Sequence, residues 1–117
     1  MHDDLKSHNT IDITFSGSTL TSVLIRGNLA LCANVGDSRA VIGRLEEGKW
    51  KTIELSQDQK PDNPEERARL EAAGGLIEAF KDMNNEPWGP ARVWIAGSNP
   101  PVPGLAMSRS IGDSVAA

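Results

Sequence analysis

Residues 29–44 read LALCANVGDSRAVIGR, an apolar run, a Gly-Asp-Ser turn and a second apolar run. The nearly continuous apolar character of residues 29–35 predicts a strand that is buried on both faces. Gly36, Asp37 and Ser38 have the composition of a turn, because small and Asx residues tolerate turn conformations. Residues 39–44 then predict the returning strand.

The same alternation of short β-rich runs and turns continues on both sides of this stretch. Upstream, residues 20–25 are largely apolar and lead to the turn signal Arg26-Gly27-Asn28. Downstream, residues 46–49 form a polar turn, and residues 50–55 alternate apolar with polar side chains. Short runs of this kind, separated by Gly, Asn and Asp, predict antiparallel hairpins over residues 16–55.

The clearest helix signal covers residues 63–75. Asn63 is a favourable N-cap and Pro64 suits the first helical position. Glu66 stands three residues after the cap, so it is expected to reach back as a capping-box partner. Gly74 and Gly75 predict a left-handed end to the helix, after which residues 76–80 predict a strand.

Residues 81–104 are rich in turn-forming residues, with five of the seven prolines of the chain. This composition predicts long loops around a short strand at residues 92–95. Long loops in a compact domain are often binding surfaces.

Composition narrows the class of protein. The chain has 117 residues, a length that fits one globular domain. Its 12 Lys+Arg and 16 Asp+Glu give a net charge of -4, so it lacks the basic surface typical of a nucleic-acid-binding protein. No apolar run is long enough to span a bilayer, and the first residues lack a secretory signal. The single cysteine, Cys32, is expected to be a buried side chain in a reducing compartment.

Two segments carry side chains that could bind ligands. Residues 16–19, Ser-Gly-Ser-Thr, could cradle a phosphate through backbone N–H groups and hydroxyls, or form a turn whose hydroxyls bond locally. Asp37 follows a strand, where a carboxylate can bind a hard cation such as Mg²⁺ or Mn²⁺. The alternative is an Asx-type turn in which the carboxylate accepts from its own backbone.

The remaining charged residues admit structural explanations. Arg109 could bind a phosphate with two parallel hydrogen bonds or form a structural salt bridge. The acidic residues between positions 58 and 66 are explained by helix capping and solvation. A Ser-His-Asp triad has no support, because both histidines lie in the polar N-terminal tail.

Taken in order, these segments resemble the metal-dependent protein phosphatase 2C family of Ser/Thr phosphatases. The blocks that carry the resemblance are SGSTL at 16–20, ANVGDSRAVI at 33–42, LSQDQKP at 55–61, NPEERARLEAAGG at 63–75, ARVW at 91–94 and PGLAMSRSIGD at 103–113. The resemblance implies an α/β (α+β) fold, part of a four-layer αββα sandwich of two antiparallel β-sheets flanked by helices. One departure is Gln59, where the family usually has histidine.

The resemblance also implies an activity and a cofactor. Family members hydrolyse phosphoserine and phosphothreonine in proteins by attack of a water activated by Mg²⁺ or Mn²⁺. The family's Asp-Gly-His-Gly-Gly block and its C-terminal aspartate blocks have no match here, so the chain is expected to be a partial catalytic domain that is inactive alone. The alternative is a catalytically inactive module that binds protein partners.

Carried over residue by residue, the resemblance assigns no catalytic residue to this chain. Asp37 resembles an aspartate of the accessory third metal position. The other matching positions are expected to shape the structure near the site: Ser16, Gly17, Ser18, Thr19, Gly36, Ser38, Arg39, Ser108, Arg109, Gly112 and Asp113.

The resemblance divides the chain into a sheet region at 13–59, a flap-like region at 60–104, and a return strand and turn at 105–117. Trp88 and Arg92, in the flap-like region, are expected to contact a substrate or a regulatory protein. The alternative for Trp88 is that it covers apolar loop surface. The expected partners are phosphorylated proteins, not nucleic acid or membrane, and the expected location is cytoplasmic or nuclear.

Overall fold

A computed structural model describes residues 2–8 and 10–116, with the side chain of His2 also outside the description. The helices are α1 (His2–Lys6) and α2 (Pro64–Ala72), with a 3₁₀ turn at Ser114–Ala116. The strands are β1 (Gly17–Ser18), β2 (Leu20–Arg26), β3 (Leu29–Val35), β4 (Val41–Glu46), β5 (Lys49–Glu54), β6 (Gly75–Lys81), β7 (Pro87–Ile95), β8 (Pro103–Leu105) and β9 (Ile111–Gly112). Neither described helix has the length and apolar character needed to cross a membrane.

Two antiparallel hairpins form the first half of the chain, as the turn signals predicted. Strands β2 and β3 pair in register from Leu20↔Val35 to Arg26↔Leu29. Strands β4 and β5 pair in the same way. Their turn places Glu47 at φ 51° and Gly48 at φ 75°, the double left-handed geometry that matches the twist of a two-residue hairpin.

Strand β3 is not buried on both faces, and this part of the prediction was wrong. Leu24 and Leu31 share one face of the hairpin and are 62% and 54% exposed. On the other face Cys32 lies opposite Val23 and is half-buried rather than buried. In the described chain β3 forms a sheet with β2 alone, and α2 packs on β6 instead, so both apolar faces of the hairpin meet solvent.

Helix α2 begins where its capping signals placed it. Asn63 has extended backbone angles, and its Oδ1 accepts from Glu65 N at 3.0 Å. Pro64 occupies the first helical position. Gly74 has φ 87°, which confirms the left-handed end. The capping-box role expected for Glu66 was wrong, because its carboxylate is engaged by two arginines.

The second half of the chain forms a three-stranded sheet in the order β6-β7-β8. Its core is the buried cluster of Leu70, Ile77 and Val93, which joins α2 to the sheet. Residues 87–91 were expected in a loop, but they belong to β7, whose register with β6 shifts at a bulge between Ala79 and Phe80. The prolines therefore do not exclude a strand here, since proline is tolerated where it donates no ladder bond.

A short antiparallel ladder between β1 and β9 pairs a segment near the start of the chain with one near its end. Gly17 pairs with Gly112 and Ser18 with Ile111. This ladder brings residues 16–18 beside residues 111–113, although nearly the whole chain separates them. The predicted α/β fold with antiparallel sheets is thus confirmed, while the proposed limits of the three regions stay predictions.

Candidate functional site

Asp37 lies in the turn that follows β3, and its side chain is half-buried. Among residues 2–8 and 10–116 its carboxylate has neither a hydrogen-bond donor nor a cationic partner. The Asx-turn alternative is therefore not seen. The carboxylate is free to accept from a ligand.

Thr19, the last residue of the 16–19 segment, packs against this turn and so connects that segment to it. The Oγ1 of Thr19 and the Oγ of Ser38 share a hydrogen bond of 2.7 Å. Gly36 is buried with φ 97°, and a Cβ there would overlap the Thr19 side chain. The Ser-Gly-Ser-Thr segment therefore behaves only partly as a local turn. Ser18 Oγ donates to the neighbouring carbonyl of Thr19, whereas the Thr19 side chain bonds Ser38 in the turn between β3 and β4.

Gln59 also forms hydrogen bonds with this turn, and sequence reasoning did not include it among the site residues. Its Oε1 accepts from Gly36 N at 2.7 Å, and its own N–H donates to Gly36 O at 3.0 Å. Its carbonyl accepts from Ser108 N at 2.9 Å. The only signal in the sequence was its departure from the family's histidine, which does not by itself indicate a hydrogen-bonding role.

Arg39 forms ion pairs with Glu54, the last residue of β5, and with Asp58 beyond that strand. It donates to both oxygens of Asp58, at 2.7 and 3.0 Å, and to Glu54 Oε1 at 2.7 Å. The hydrogen bonds from Arg39 lower the pKa of Asp58. Hydrogen bonding to Asp58 raises the pKa of Arg39 in turn. Arg39 thus joins the start of β4 to the segment that carries Gln59.

Asp113 and Gly17 are in close contact across the β1–β9 ladder. Asp113 N donates to Ser16 O at 2.9 Å. Asp113 is 7% exposed and has φ 48°, a left-handed conformation that non-glycine residues rarely adopt. A Cβ on Gly17 would overlap the Asp113 carboxylate, and one on Gly112 would overlap the Ser16 carbonyl. Only glycine fits at both ladder positions.

Arg109 forms a salt bridge and not a free anion site, which resolves the two alternatives left by the sequence. Its Nη2 donates to Glu66 Oε1 at 2.7 Å and its Nε to Oε2 at 3.0 Å. Arg69 donates to the same carboxylate at 2.8 Å and to Ser108 O at 2.7 Å. The hydrogen bonds from Arg109 and then Arg69 outweigh burial and lower the pKa of Glu66 to about 2.

A pocket of about 360 Å³ lies beside this ion-pair cluster. Its lining includes Arg69, Ser108, Arg109 and Asp113. The predicted structural residues from 108 to 113 therefore surround one cavity, next to the segment held by Gln59.

Trp88 and Arg92 lie on β7, in the three-stranded sheet. Trp88 is 71% exposed, so it does not cover apolar loop surface. Arg92 stacks 4.7 Å from the centre of the Phe80 ring, and its Nη1 donates to Gly104 O at 2.7 Å. Arg92 is thus held inside the sheet, whereas the Trp88 side chain is available to a partner.

The described residues do not form a metal site by themselves. No group of three or more His, Cys, Asp or Glu side chains in the described ranges is placed to hold an ion. Asp37 supplies one carboxylate, and a divalent cation such as Mg²⁺ requires several oxygen ligands.

Comparison with known proteins gives one family. Residues 1–115 match the family model described as Protein phosphatase 2C. The chain is 42% identical over 114 residues to "Probable protein phosphatase 2C 12" of Oryza sativa subsp. japonica, covering 97% of this chain and 28% of that protein. It is 41% identical over 111 residues to "Probable protein phosphatase 2C 18" of Arabidopsis thaliana, covering 94% of this chain and 21% of that protein.

The fold matches a solved structure as well. The crystal structure of serine-threonine phosphatase 2C from Toxoplasma gondii superposes with a TM-score of 0.74 at 23% identity, over 96% of this chain and 36% of that chain. The match confirms the predicted α/β class with antiparallel sheets. The chain spans between a fifth and a third of the curated relatives it matches.

Proposed function

Since this chain belongs to the protein phosphatase 2C family, we propose that it is part of a protein that hydrolyses phosphoserine and phosphothreonine in other proteins. The observation that carries the proposal is the Asp37 turn. A carboxylate without a partner among the described residues follows a strand, and the backbone of the preceding Gly36 is fixed by two hydrogen bonds with Gln59. Unpaired carboxylates are costly to bury, and a half-buried one kept free of donors is suited to bind a ligand.

Mg²⁺ or Mn²⁺ is the cofactor we propose for the whole protein. When bound, such an ion activates water and neutralises charge on a phosphoryl group. Asp37 would contribute one carboxylate, and the described residues do not provide the others. We therefore propose that this chain alone is inactive and supplies the framework around Asp37.

The test compares two aspartate variants of the full-length protein. Asp37→Asn is expected to lower turnover of an aryl phosphate in the presence of Mn²⁺ by at least about tenfold. Asp62→Asn is the matched control, because Asp62 is exposed on a neighbouring loop. Equal turnover in the two variants would remove Asp37 from the proposed machinery.

A second candidate function is a protein-binding module without catalysis, and the exposed flap favours it. Trp88 is 71% exposed and Met83 is fully exposed. Exposed aromatic and methionine side chains are common at protein interfaces. A full-length protein that fails to turn over aryl phosphate with either Mg²⁺ or Mn²⁺ would favour this function over hydrolysis.

The proposed location is the cytoplasm or the nucleus, where phosphorylated proteins are abundant substrates. Imaging of the full-length protein fused to a fluorescent reporter tests it, and a signal confined to another compartment would contradict it.

A further inference from the structure

We infer that Gln59 is a positioning residue that fixes the direction of the Asp37 carboxylate. This inference rests on the proposed function of Asp37 as a ligand-binding group. It concerns a residue that the sequence motifs did not assign to the site, and it follows from the hydrogen bonds around Gly36.

The first step is that Asp37 has no side-chain hydrogen bond to hold it among the described residues. Its direction therefore depends on the backbone that carries it. That backbone turns at Gly36, which is buried and has φ 97°. Hydrogen bonds that fix the peptide groups of Gly36 therefore also fix the direction in which the Asp37 side chain leaves the backbone.

The second step is that Gln59 engages both polar groups of Gly36. The amide carbonyl of the Gln59 side chain accepts from Gly36 N at 2.7 Å. The Gln59 backbone N–H donates to Gly36 O at 3.0 Å, and Asn34 Nδ2 donates to the same oxygen at 3.1 Å. Among the described residues, Asn34 contacts Gly36 only through its carbonyl, and the Gly36 N–H donates only to the Gln59 side chain.

The third step is that Gln59 is itself held. Its carbonyl accepts from Ser108 N at 2.9 Å, and Ser108 O accepts from Arg69 of α2 at 2.7 Å. Gln59 therefore connects the Asp37 turn to the ion-pair cluster on α2. A flexible glutamine without these anchors would not orient a turn.

The experiment compares three variants of the full-length protein. Gln59→Leu keeps the approximate size and removes the acceptor. Gln59→Glu keeps an acceptor oxygen at the same reach, so it is the rescue variant. Gln57→Leu makes the same change at an exposed neighbour whose side chain forms no hydrogen bond in the described chain, so it is the matched control.

Two spectroscopic readouts report on position and not on stability alone. In Gln59→Leu, hydrogen exchange of the Gly36 amide is expected to accelerate about tenfold, the effect of one lost hydrogen bond. The ¹³C chemical shift of the Asp37 carboxyl carbon is expected to change with it. Both are expected to return toward wild type in Gln59→Glu and to stay unchanged in Gln57→Leu. Exchange at Val93, in the buried core, serves as the reference for global unfolding.

The kinetic readout is kcat on an aryl phosphate with Mn²⁺, expected to fall about tenfold in Gln59→Leu with a smaller change in KM. If Gln59→Leu does not fold, Gln59→Asn replaces it, because the shorter amide cannot reach Gly36.

The inference is overturned if Gly36 exchange and the Asp37 signal are as in wild type, or if Gln57→Leu changes them equally. It is also overturned if both signals change while kcat does not. A wild-type protein without turnover contradicts the proposed function alone, since the two spectroscopic readouts still decide whether Gln59 directs Asp37.

Discussion

Glu66 and Arg109 form a bidentate ion pair although 43 positions separate them in sequence. Arg109 Nη2 and Nε donate to the two carboxylate oxygens at 2.7 and 3.0 Å. Glu66 is 8% exposed, whereas the Arg109 side chain is 47% exposed. The pair joins α2 to the segment before β9, and Arg69 adds a third donor to the same carboxylate.

Glu66→Gln is expected to destabilise the protein by about 2 kcal/mol, because hydrogen bonds to charged groups contribute about 1.5–3 kcal/mol and the amide presents a donor to arginine donors. The measurement is urea unfolding followed by circular dichroism. Glu71→Gln is the matched control: its pair with Arg67 is exposed on both sides and is expected to contribute about 0.3–0.5 kcal/mol. Equal losses of unfolding free energy in the two variants would show that the buried Glu66 ion pairs stabilise the fold no more than the exposed pair does.

The free energy of unfolding is expected to depend on pH at acidic values through the Glu66 carboxylate. The hydrogen bonds from Arg109 lower the pKa of Glu66 from 4.5 to about 2. A group with a lowered folded-state pKa stabilises the fold above its unfolded value and loses that contribution as the pH falls toward the folded value. Stability should therefore decrease from about pH 4.5 toward pH 2.

The measurement is the free energy of unfolding in urea at several pH values in this range. Asp58 also has a lowered pKa, owing to Arg39, so the difference between wild type and Glu66→Gln isolates the Glu66 contribution. Parallel pH profiles for the two proteins would contradict the assignment.

The local elements of this fold could be predicted from sequence because their signals are local. Asn63, Pro64 and Gly74 mark the ends of α2 by short-range hydrogen bonding and backbone geometry. The burial of β3 could not be predicted from sequence. An apolar run indicates that burial would be favourable, but it does not show whether another element packs over the strand. The extent of β7 was missed because prolines suggested a loop.

The candidate site was only partly readable from sequence. Thr19 and Ser38 were singled out by motif, and the structure joins them by a hydrogen bond. Gln59 was noted only as a departure from the family's histidine, and Glu66 only as a capping-box partner. Their observed roles depend on partners distant in sequence: Gly36 for Gln59 and Arg109 for Glu66. Spacing along the chain does not encode such pairs.

Gly17→Ala is expected to destabilise the protein by about 1–3 kcal/mol, the usual effect of overpacking. The new Cβ would overlap the Asp113 carboxylate across the β1–β9 ladder. The measurement is the urea midpoint. Gly43→Ala is the control, because a Cβ there meets Trp50 at an ordinary 3.4 Å, and it should change stability little.

A second substitution tests whether Asp113 is the cause. Asp113→Gly removes the carboxylate and also the left-handed strain at φ 48°. Added to Gly17→Ala, it should restore most of the lost stability. A double variant as unstable as the sum of the single ones would show that the overlap with Asp113 is not responsible.

The Thr19–Ser38 hydrogen bond provides the last test, because both partners can be removed separately. Thr19→Val is nearly isosteric and leaves the Ser38 hydroxyl without its 2.7 Å partner, so it should cost about 1 kcal/mol. Ser38→Ala should cost a similar amount for the same reason. The double variant should cost less than the sum, since no unpaired hydroxyl remains, which gives a coupling energy of about 0.5–1.5 kcal/mol. Thr52→Val, at an exposed position of β5, is the control for the change from threonine to valine. Additive costs at positions 19 and 38 would mean that this bond does not fasten the Asp37 turn to residues 16–19.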